Sequence, residues 1–277
     1  MEIIPLLLLV LVCAALVLGY PVALTLAGVS ILFSLLCIPA GIFDPDIFKS
    51  IPLRIFGIMN NVTLLAVPLF IFMGTILEKS GIAGRMLENM ALAFKNFRGG
   101  LSISIIVVGA LLAASTGIVG ATVVTMGLMS LPVLIQQGYK KDFSTGLVAA
   151  TGTLGQIIPP SIALVLLGDV MSNAYQRAQN NMGIFSQKTV TVGDLFIGAI
   201  VPGILICSSY LFYTIYQNSK NENIQFLPDL ASPPRTEILK TLALPLVLIV
   251  LVLGSIIGGI ATPTEAAAIG AMGAMII

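Results

Sequence analysis

The chain has 277 residues, 57% of them hydrophobic and only 9% charged, with a formal net charge of +1 and no histidine. Soluble domains carry about 25% charged residues, so these residues cannot clothe a water-facing surface, and the small net charge without a basic tract argues against a nucleic-acid partner. The lack of histidine removes any His-based triad, the usual proton shuttle and the commonest metal ligand, so enzymatic chemistry is not expected.

Taken in chain order, the apolar runs Ile3–Leu18 and Val22–Leu36 hold no charge and approach the roughly 20 residues needed to cross a bilayer. They are continuously apolar, whereas a membrane β-barrel needs alternation. The opening "MEIIPLLLLVLVC" has no Lys or Arg before its apolar stretch, so it reads as a first membrane helix and not a cleaved signal peptide. Spans are expected at about 3–19 and 21–39, joined by a Gly19-Tyr20-Pro21 corner. Residues 44–60 carry Asp44, Asp46, Lys49 and Arg54 and read as an interfacial segment.

A third span is expected over about 61–78, with Pro68 inside it. After it, Met86, Leu87, Met90, Ala91 and Phe94 recur at helical spacing. That pattern predicts an amphipathic helix at the membrane surface within 79–98.

The apolar stretch 99–136 is interrupted by Thr116–Gly120 and flanked by Lys95 and Arg98 before it and by Lys140 and Lys141 after it. Basic loops favour the cytoplasm, so both ends are placed there, and the stretch is either a re-entrant hairpin or a pair of spans. From 142 the chain crosses again as a helix broken at "GQIIPPS". A polar loop is expected at about 172–192, a span at 193–216, a hydrophilic connector with Lys220, Arg235 and Lys240, a span at 241–260 and another starting near Thr262. The sequence stops inside the apolar run "AAAIGAMGAMII". Because a helix end at membrane depth leaves carbonyls unpaired, the chain reads as C-terminally truncated. Cys13, Cys37 and Cys207 fall within spans, without metal-ligand spacing, and read as small buried hydrophobes.

The last part of the chain resembles the first. "PLLLLVLVCAALVLGYPVALTLAG" and "PLVLIVLVLGSIIGGIATPTEAAAIG" share an apolar run, a Gly-containing corner, and then a Pro followed seven residues later by a Gly: Pro21 and Gly28, Pro263 and Gly270. Counting spans from the basic loops places the two copies in opposite orientations, the inverted repeat of many secondary transporters.

The two breaks are the chemical signal. Backbone that leaves helical geometry inside a bilayer costs several kcal/mol per unsatisfied group, so it persists where it is buried in protein or lines a wet cavity. There, freed carbonyls can hold a cation. Glycine permits the dihedrals, hydroxyls add oxygen ligands, and Pro159-Pro160 withholds two amide donors. The candidate sodium- and substrate-binding set is therefore Ser115, Thr116, Gly117, Gly120, Thr122, Thr151, Gly152, Thr153, Pro159, Pro160 and Ser161. Close packing of small residues is the competing reading. Asp169 and Glu265 are the candidate functional acids near membrane depth; Glu265, after its "TPT" corner, could equally be an interfacial cap. No cofactor is expected, with Na⁺ as coupling ion.

The motifs "AVPLFIFMGTILEKSGIAGRM", "LLAASTGIVGATVVTMGLMSLPVLIQQGYKKDFSTGLVAATGTLGQIIPPSIALVLLGD", "VGDLFIGAIVPG" and "GGIATPTEAAAIGA" resemble, in that order, the large (M-type) membrane subunit of tripartite ATP-independent periplasmic (TRAP) transporters. The resemblance implies an all-α polytopic membrane protein, an inverted-repeat elevator-type transporter with a re-entrant hairpin and a discontinuous helix. It implies Na⁺-driven import of small organic acids delivered by a periplasmic substrate-binding protein, with a small four-helix membrane subunit as partner, in the bacterial inner membrane. A proton-coupled or exchange-type anion carrier of the same architecture is the alternative.

By this likeness Ser115–Thr122 would be the hairpin tip and Thr151–Ser161 the discontinuous helix completing the first Na⁺ site. Where many members carry Ser-Gly-Ser-Ser, this chain has Thr116, Gly117, Ile118 and Val119, which shifts ligation toward carbonyls and flanking hydroxyls. The implied division is 1–98 as scaffold helices with the surface helix and 99–192 as transport-domain hairpin and discontinuous helix. Residues 193–240 would be a connecting span and loop, and 241–277 the start of a second inverted repeat. Substrate identity is not legible in these residues.

Overall fold

The structure, a computed structural model, describes residues 3–117, 119–184, 188–221, 224 and 234–276; for Ile3, Ala113, Ser115, Thr116 and Arg235 it describes the backbone alone. All regular structure among them is helical. The chain divides into two compact units, the first ending at Asn61 and the second beginning at Val62.

In the first unit, α1 (Ile3–Val17) and α2 (Val22–Cys37) pack on one another. Between them Gly19 takes a left-handed φ of 81°, and Pro21 opens the next helix with its carbonyl accepting from the Thr25 hydroxyl at 3.1 Å. The corner expected there is present. Leu6, Leu9, Val10, Leu24, Leu32 and Leu36 all face outward, a surface stable only against lipid or another apolar partner. Residues 44–60 hold a single 3-10 turn, Pro45–Lys49, and α3 (Ser50–Met59). Asp44 caps the turn by accepting from the Asp46 amide at 2.9 Å.

The second unit begins with α4 (Ala66–Lys79) and α5 (Ile82–Ala93), bent by 58° at Ser80-Gly81. The amphipathic pattern holds: Met86, Leu87, Met90 and Ala91 are all buried on one face of α5. Next come α6 (Gly100–Thr116), α7 (Val119–Gln136) and α8 (Lys141–Thr153). A short 3-10 turn, Leu154–Gln156, leads to α9 (Ile162–Asn181). α10 (Val192–Lys220), α11 (Arg235–Ile257) and α12 (Pro263–Ile276) complete the unit.

The polar loop expected at 172–192 is shorter than that. Helix α9 runs on to Asn181, because Ala174, Gln176, Arg177, Ala178 and Gln179 are polar or small but good helix formers. Loss of hydropathy there was not loss of helix.

α6 is the hub of this unit, packed against α4, α5, α7, α8, α10 and α11. Leu101, Ile105, Ile106 and Val108 are accordingly buried, and a helix apolar on every face has this as its natural place. The three cysteines are not core residues: Cys13 is exposed, and Cys37 and Cys207 are half-buried. Cys207 packs against the edge of the core, while the exposed Cys13 lies where an apolar thiol is acceptable in a membrane.

Three described helices are long and apolar enough to cross a bilayer, Val119–Gln136, Val192–Lys220 and Thr236–Ile257, and four if the bent α4–α5 pair counts as one. Together with the apolar outer surface, this makes the chain a multi-pass α-helical membrane protein.

Candidate functional site

α6 and α7 form a hairpin whose open ends lie together. Near that end the Tyr139 hydroxyl donates to Ser102 Oγ at 3.5 Å, and Asn218 Nδ2, from α10, donates to the same oxygen at 2.8 Å. Arg98 reaches the Asn221 carbonyl at 3.0 Å, and Asn221 Nδ2 reaches the Gly138 carbonyl at 3.5 Å. The hairpin's closed end is the first break. There Gly117 has φ +60°, a conformation that costs a side-chain-bearing residue roughly 1–2 kcal/mol. Residue 118, read as part of the tip, lies outside the described residues.

The second break follows from residues that cannot propagate a helix. α8 tightens into the 3-10 turn, the Ile157 and Ile158 amides both bond the Leu154 carbonyl at 3.0 and 2.8 Å, and Pro159 and Pro160, buried and joined by a cis peptide, offer no amide hydrogen. Ser161 then restarts the chain as α9: its hydroxyl donates to the Gln156 carbonyl at 2.8 Å and accepts from the Leu164 amide at 3.4 Å. Serine is a favoured residue for that capping position.

The two breaks meet. Gln156 Nε2 donates to the Gly117 carbonyl at 2.8 Å, and a methyl group added at Gly117 would sit 3.3 Å from the Ile162 side chain. The 3-10 turn touches α6, α7, α8 and α9 alike, so four half-helix ends converge on it. Two of them, the ends of α6 and α8, present carbonyl dipoles that favour a cation; the starts of α7 and α9 present amide dipoles that favour an anion. Behind the breaks the helices close tightly. A Cβ at Gly152 would fall 2.2 Å from Val123 of α7, and one at Gly109 would fall 2.0 Å from Thr151.

The candidate residues therefore separate. Gly117, Thr151, Gly152, Pro159, Pro160 and Ser161 are buried at or just behind the junction. Thr151 is fully buried, and its hydroxyl donates to the Leu147 carbonyl at 2.7 Å, which leaves its oxygen lone pairs available as acceptors. Thr122 is 3% exposed on the first turn of α7. Gly120 and Thr153 face outward, Thr153 bonding its own helix at the Ala150 carbonyl at 2.7 Å. The side chains of Ser115 and Thr116 lie outside the described residues. The oxygens assembled here are neutral carbonyls and hydroxyls, hard ligands that suit an alkali or alkaline-earth cation rather than a transition metal. No group of three or more Cys, Asp or Glu that could hold a metal occurs among the described residues.

Neither candidate acid is at the junction. Asp169 is carried two turns along α9 into a separate cleft of about 240 Å³ that it shares with Thr63, Ser172, Thr191 and Pro263. Glu265 is the cap that its "TPT" corner allowed: its carboxylate accepts from both the Thr262 amide and hydroxyl at 2.8 Å, while its own amide donates to the Thr262 hydroxyl at 3.4 Å. This is a capping box, and Thr191 with Asp194 builds the same device at the start of α10.

Two polar contacts between elements escaped the sequence reading, one at the junction and one along the hairpin. Gln156 was visible as the one side-chain amide inside "TLGQIIPPS". Glu78, which reads as interfacial beside Lys79, accepts a hydrogen bond from Thr125 of α7. That pairing depends on α4 lying along the hairpin, which no local pattern reveals.

Comparison with known proteins bears on the family of the chain. Residues 9–277 match the sequence model of the family described as tripartite ATP-independent periplasmic transporter, DctM component. The chain is similar to the C4-dicarboxylate TRAP transporter large permease protein DctM of Vibrio cholerae serotype O1, 34% identical over 267 residues that make up 96% of this chain and 54% of that protein. It is similar to the protein of the same name from Rhodobacter capsulatus, 32% identical over 95% of this chain and 60% of that one. It also resembles the isethionate TRAP transporter permease protein DctMQ of Oleidesulfovibrio alaskensis, 31% identical over 95% of this chain and 38% of the relative. The chain thus spans about half the length of the large permeases it matches.

Proposed function

The chain belongs to the DctM-component family of tripartite ATP-independent periplasmic transporters, and from that premise we propose that it forms part of a Na⁺-coupled permease importing a small organic acid. The family is one of transporters and not of enzymes. In this reading a periplasmic binding protein hands substrate to the permease in the bacterial inner membrane, and a small four-helix membrane subunit accompanies it. An organic acid is favoured because matched relatives carry C4-dicarboxylate or isethionate in their names.

One observation carries the proposal: Gln156 ties the second break to the Gly117 carbonyl of the first. α8 rises 13 residues from its start at Lys141, about 20 Å at 1.5 Å per residue. With Lys141 in the headgroup layer, the junction would lie near the middle of a bilayer whose hydrocarbon layer is roughly 30 Å thick. Unwound carbonyls at the ends of α6 and α8, with the hydroxyl oxygens of Thr151 and Ser161, would hold Na⁺. The amide ends of α7 and α9 would face the anionic substrate. The hairpin would be re-entrant and, with α8 and α9, would move as the transport domain of an elevator against a scaffold that includes α4. The corners Gly19–Pro21 and Gly259–Pro263, each with a left-handed glycine ahead of a helix-starting proline, support the inverted-repeat reading.

The test is Gly117→Leu or Pro160→Leu in the complete permease, reconstituted in proteoliposomes with its small subunit and binding protein. Na⁺-driven uptake should be abolished while membrane insertion stays intact, and uptake at the wild-type rate would refute the site.

A further inference from the structure

α5 and the first two turns of α11 bound a cleft of about 470 Å³, within the size range of small-ligand pockets. Four charged side chains line it: Arg85 and Glu88 from α5, and Glu237 and Lys240 from α11. Each helix contributes one cation and one anion three residues apart, a spacing that sets both on one face. Among the described residues none of the four takes part in an ion pair or a side-chain hydrogen bond. The helices are instead joined behind them by Asn89 Nδ2, which donates to the Thr241 hydroxyl at 3.0 Å.

The cleft sits at a polar–apolar boundary. On α5 the face beside Arg85 and Glu88 is buried through Met86, Leu87 and Met90; on α11 charge ends at Lys240, and an uncharged run begins at Thr241. Glu88 also lines a second, apolar groove of about 400 Å³ between α5, α6 and α7, walled by Leu92, Leu101, Met129 and Val133. Paired unmatched charges above an apolar groove fit one kind of occupant: an amphiphile whose head carries both signs.

We propose that this cleft binds the headgroup of a zwitterionic membrane phospholipid with a primary ammonium, of the phosphatidylethanolamine type. Its phosphate would lie on Arg85 and Lys240, its ammonium on Glu88 and Glu237, and one acyl chain in the adjoining groove. The lining decides among headgroups. A carboxylate pair rewards N–H donors, which a quaternary ammonium lacks, and among the described residues no aromatic ring lines the cleft to hold such a group by its face. An anionic headgroup without an ammonium would satisfy the two basic residues but lie against two unpaired carboxylates, a like-charge penalty.

The experiment is native mass spectrometry of the delipidated full-length permease, titrated with phosphatidylethanolamine, phosphatidylcholine and phosphatidylglycerol of matched acyl chains, and with water-soluble glycerophosphoethanolamine. Phosphatidylethanolamine should bind about tenfold more tightly than either other lipid, the factor expected of one charge-assisted hydrogen bond, and the water-soluble compound should not compete. The double variant Arg85→Gln/Lys240→Gln, which removes the partners of the phosphate common to all three lipids, should weaken the binding of each about tenfold and leave phosphatidylethanolamine the tightest. Glu88→Gln/Glu237→Gln, which leaves the basic pair alone, should turn it toward phosphatidylglycerol. All four side chains are exposed, so both variants should fold. Equal binding of the three lipids, an order unchanged in Glu88→Gln/Glu237→Gln, undiminished binding in Arg85→Gln/Lys240→Gln, or competition by glycerophosphoethanolamine overturns the assignment.

Discussion

At the scale of single residues, a hydrogen bond from the Gln156 amide to the Gly117 carbonyl joins the two breaks. Removing a donor from a buried carbonyl costs the desolvation of that carbonyl, about 1–3 kcal/mol. In Gln156→Ala the junction should persist, since Ser161 still caps α9 and the prolines still block helix. The Gly117 carbonyl would no longer be aimed. The expected result is a rise of about tenfold in the Na⁺ concentration giving half-maximal uptake, corresponding to roughly 1.4 kcal/mol, with a modest fall in melting temperature from the unpaired carbonyl. A variant with wild-type Na⁺ dependence would reduce Gln156 to packing. Gly117→Ala tests the backbone separately. It should lower the melting temperature through its left-handed φ of 60°, at a cost of about 1–2 kcal/mol, and a fluorescence-based thermal shift measures it directly.

At the scale of elements, α8 offers a comparison within one helix. Gly152 faces Val123 of α7, where an added Cβ would lie 2.2 Å from the Val123 side chain, whereas Gly146 on the same helix has open space within 4 Å. Gly146→Ala should therefore stabilise, by roughly 0.5–1 kcal/mol from helix propensity. Gly152→Ala should destabilise by about 1–3 kcal/mol as α7 and α8 are forced apart. Opposite signs of melting-temperature shift are the expected outcome; two shifts of the same sign would show that α7 and α8 do not pack as described. The contrast also marks what the residues could reveal on their own. Helices were legible wherever an uncharged run left the backbone no water to bond, and both breaks were legible because glycine and proline act locally. That the breaks meet was not, since Gln156 and Gly117 are 39 positions apart and nothing in either stretch encodes the other. α9 was misread beyond residue 171 because hydropathy stood in for helix propensity. The role of Glu265 stayed open because cap and buried acid share the same sequence, and only the position of Thr262 separates them.

At the scale of the whole molecule, the question is which way the second unit faces. α10 is 29 residues long, about 43 Å at 1.5 Å per residue, enough to cross the roughly 30 Å hydrocarbon layer with both ends in the headgroups. Its last turn lies with the open end of the hairpin, where Asn218 meets Ser102 and Arg98 meets Asn221. Arg98, Lys140, Lys141 and Lys220 therefore flank one end of the unit, while Thr191 begins the helix at the other, beside Asp169, Thr63 and Pro263. By the positive-inside rule the flanking basic residues would place the first end in the cytoplasm, and in the proposed reading the second would be periplasmic. In the full-length permease with Cys13, Cys37 and Cys207 replaced, a cysteine at Lys140 should resist a membrane-impermeant maleimide added to intact cells and react once the cells are opened. A cysteine at the exposed Thr189 should react in both cases. If Lys140 labels from outside, the hairpin enters from the periplasm. That result would overturn the topology in which both ends of the hairpin face the cytoplasm.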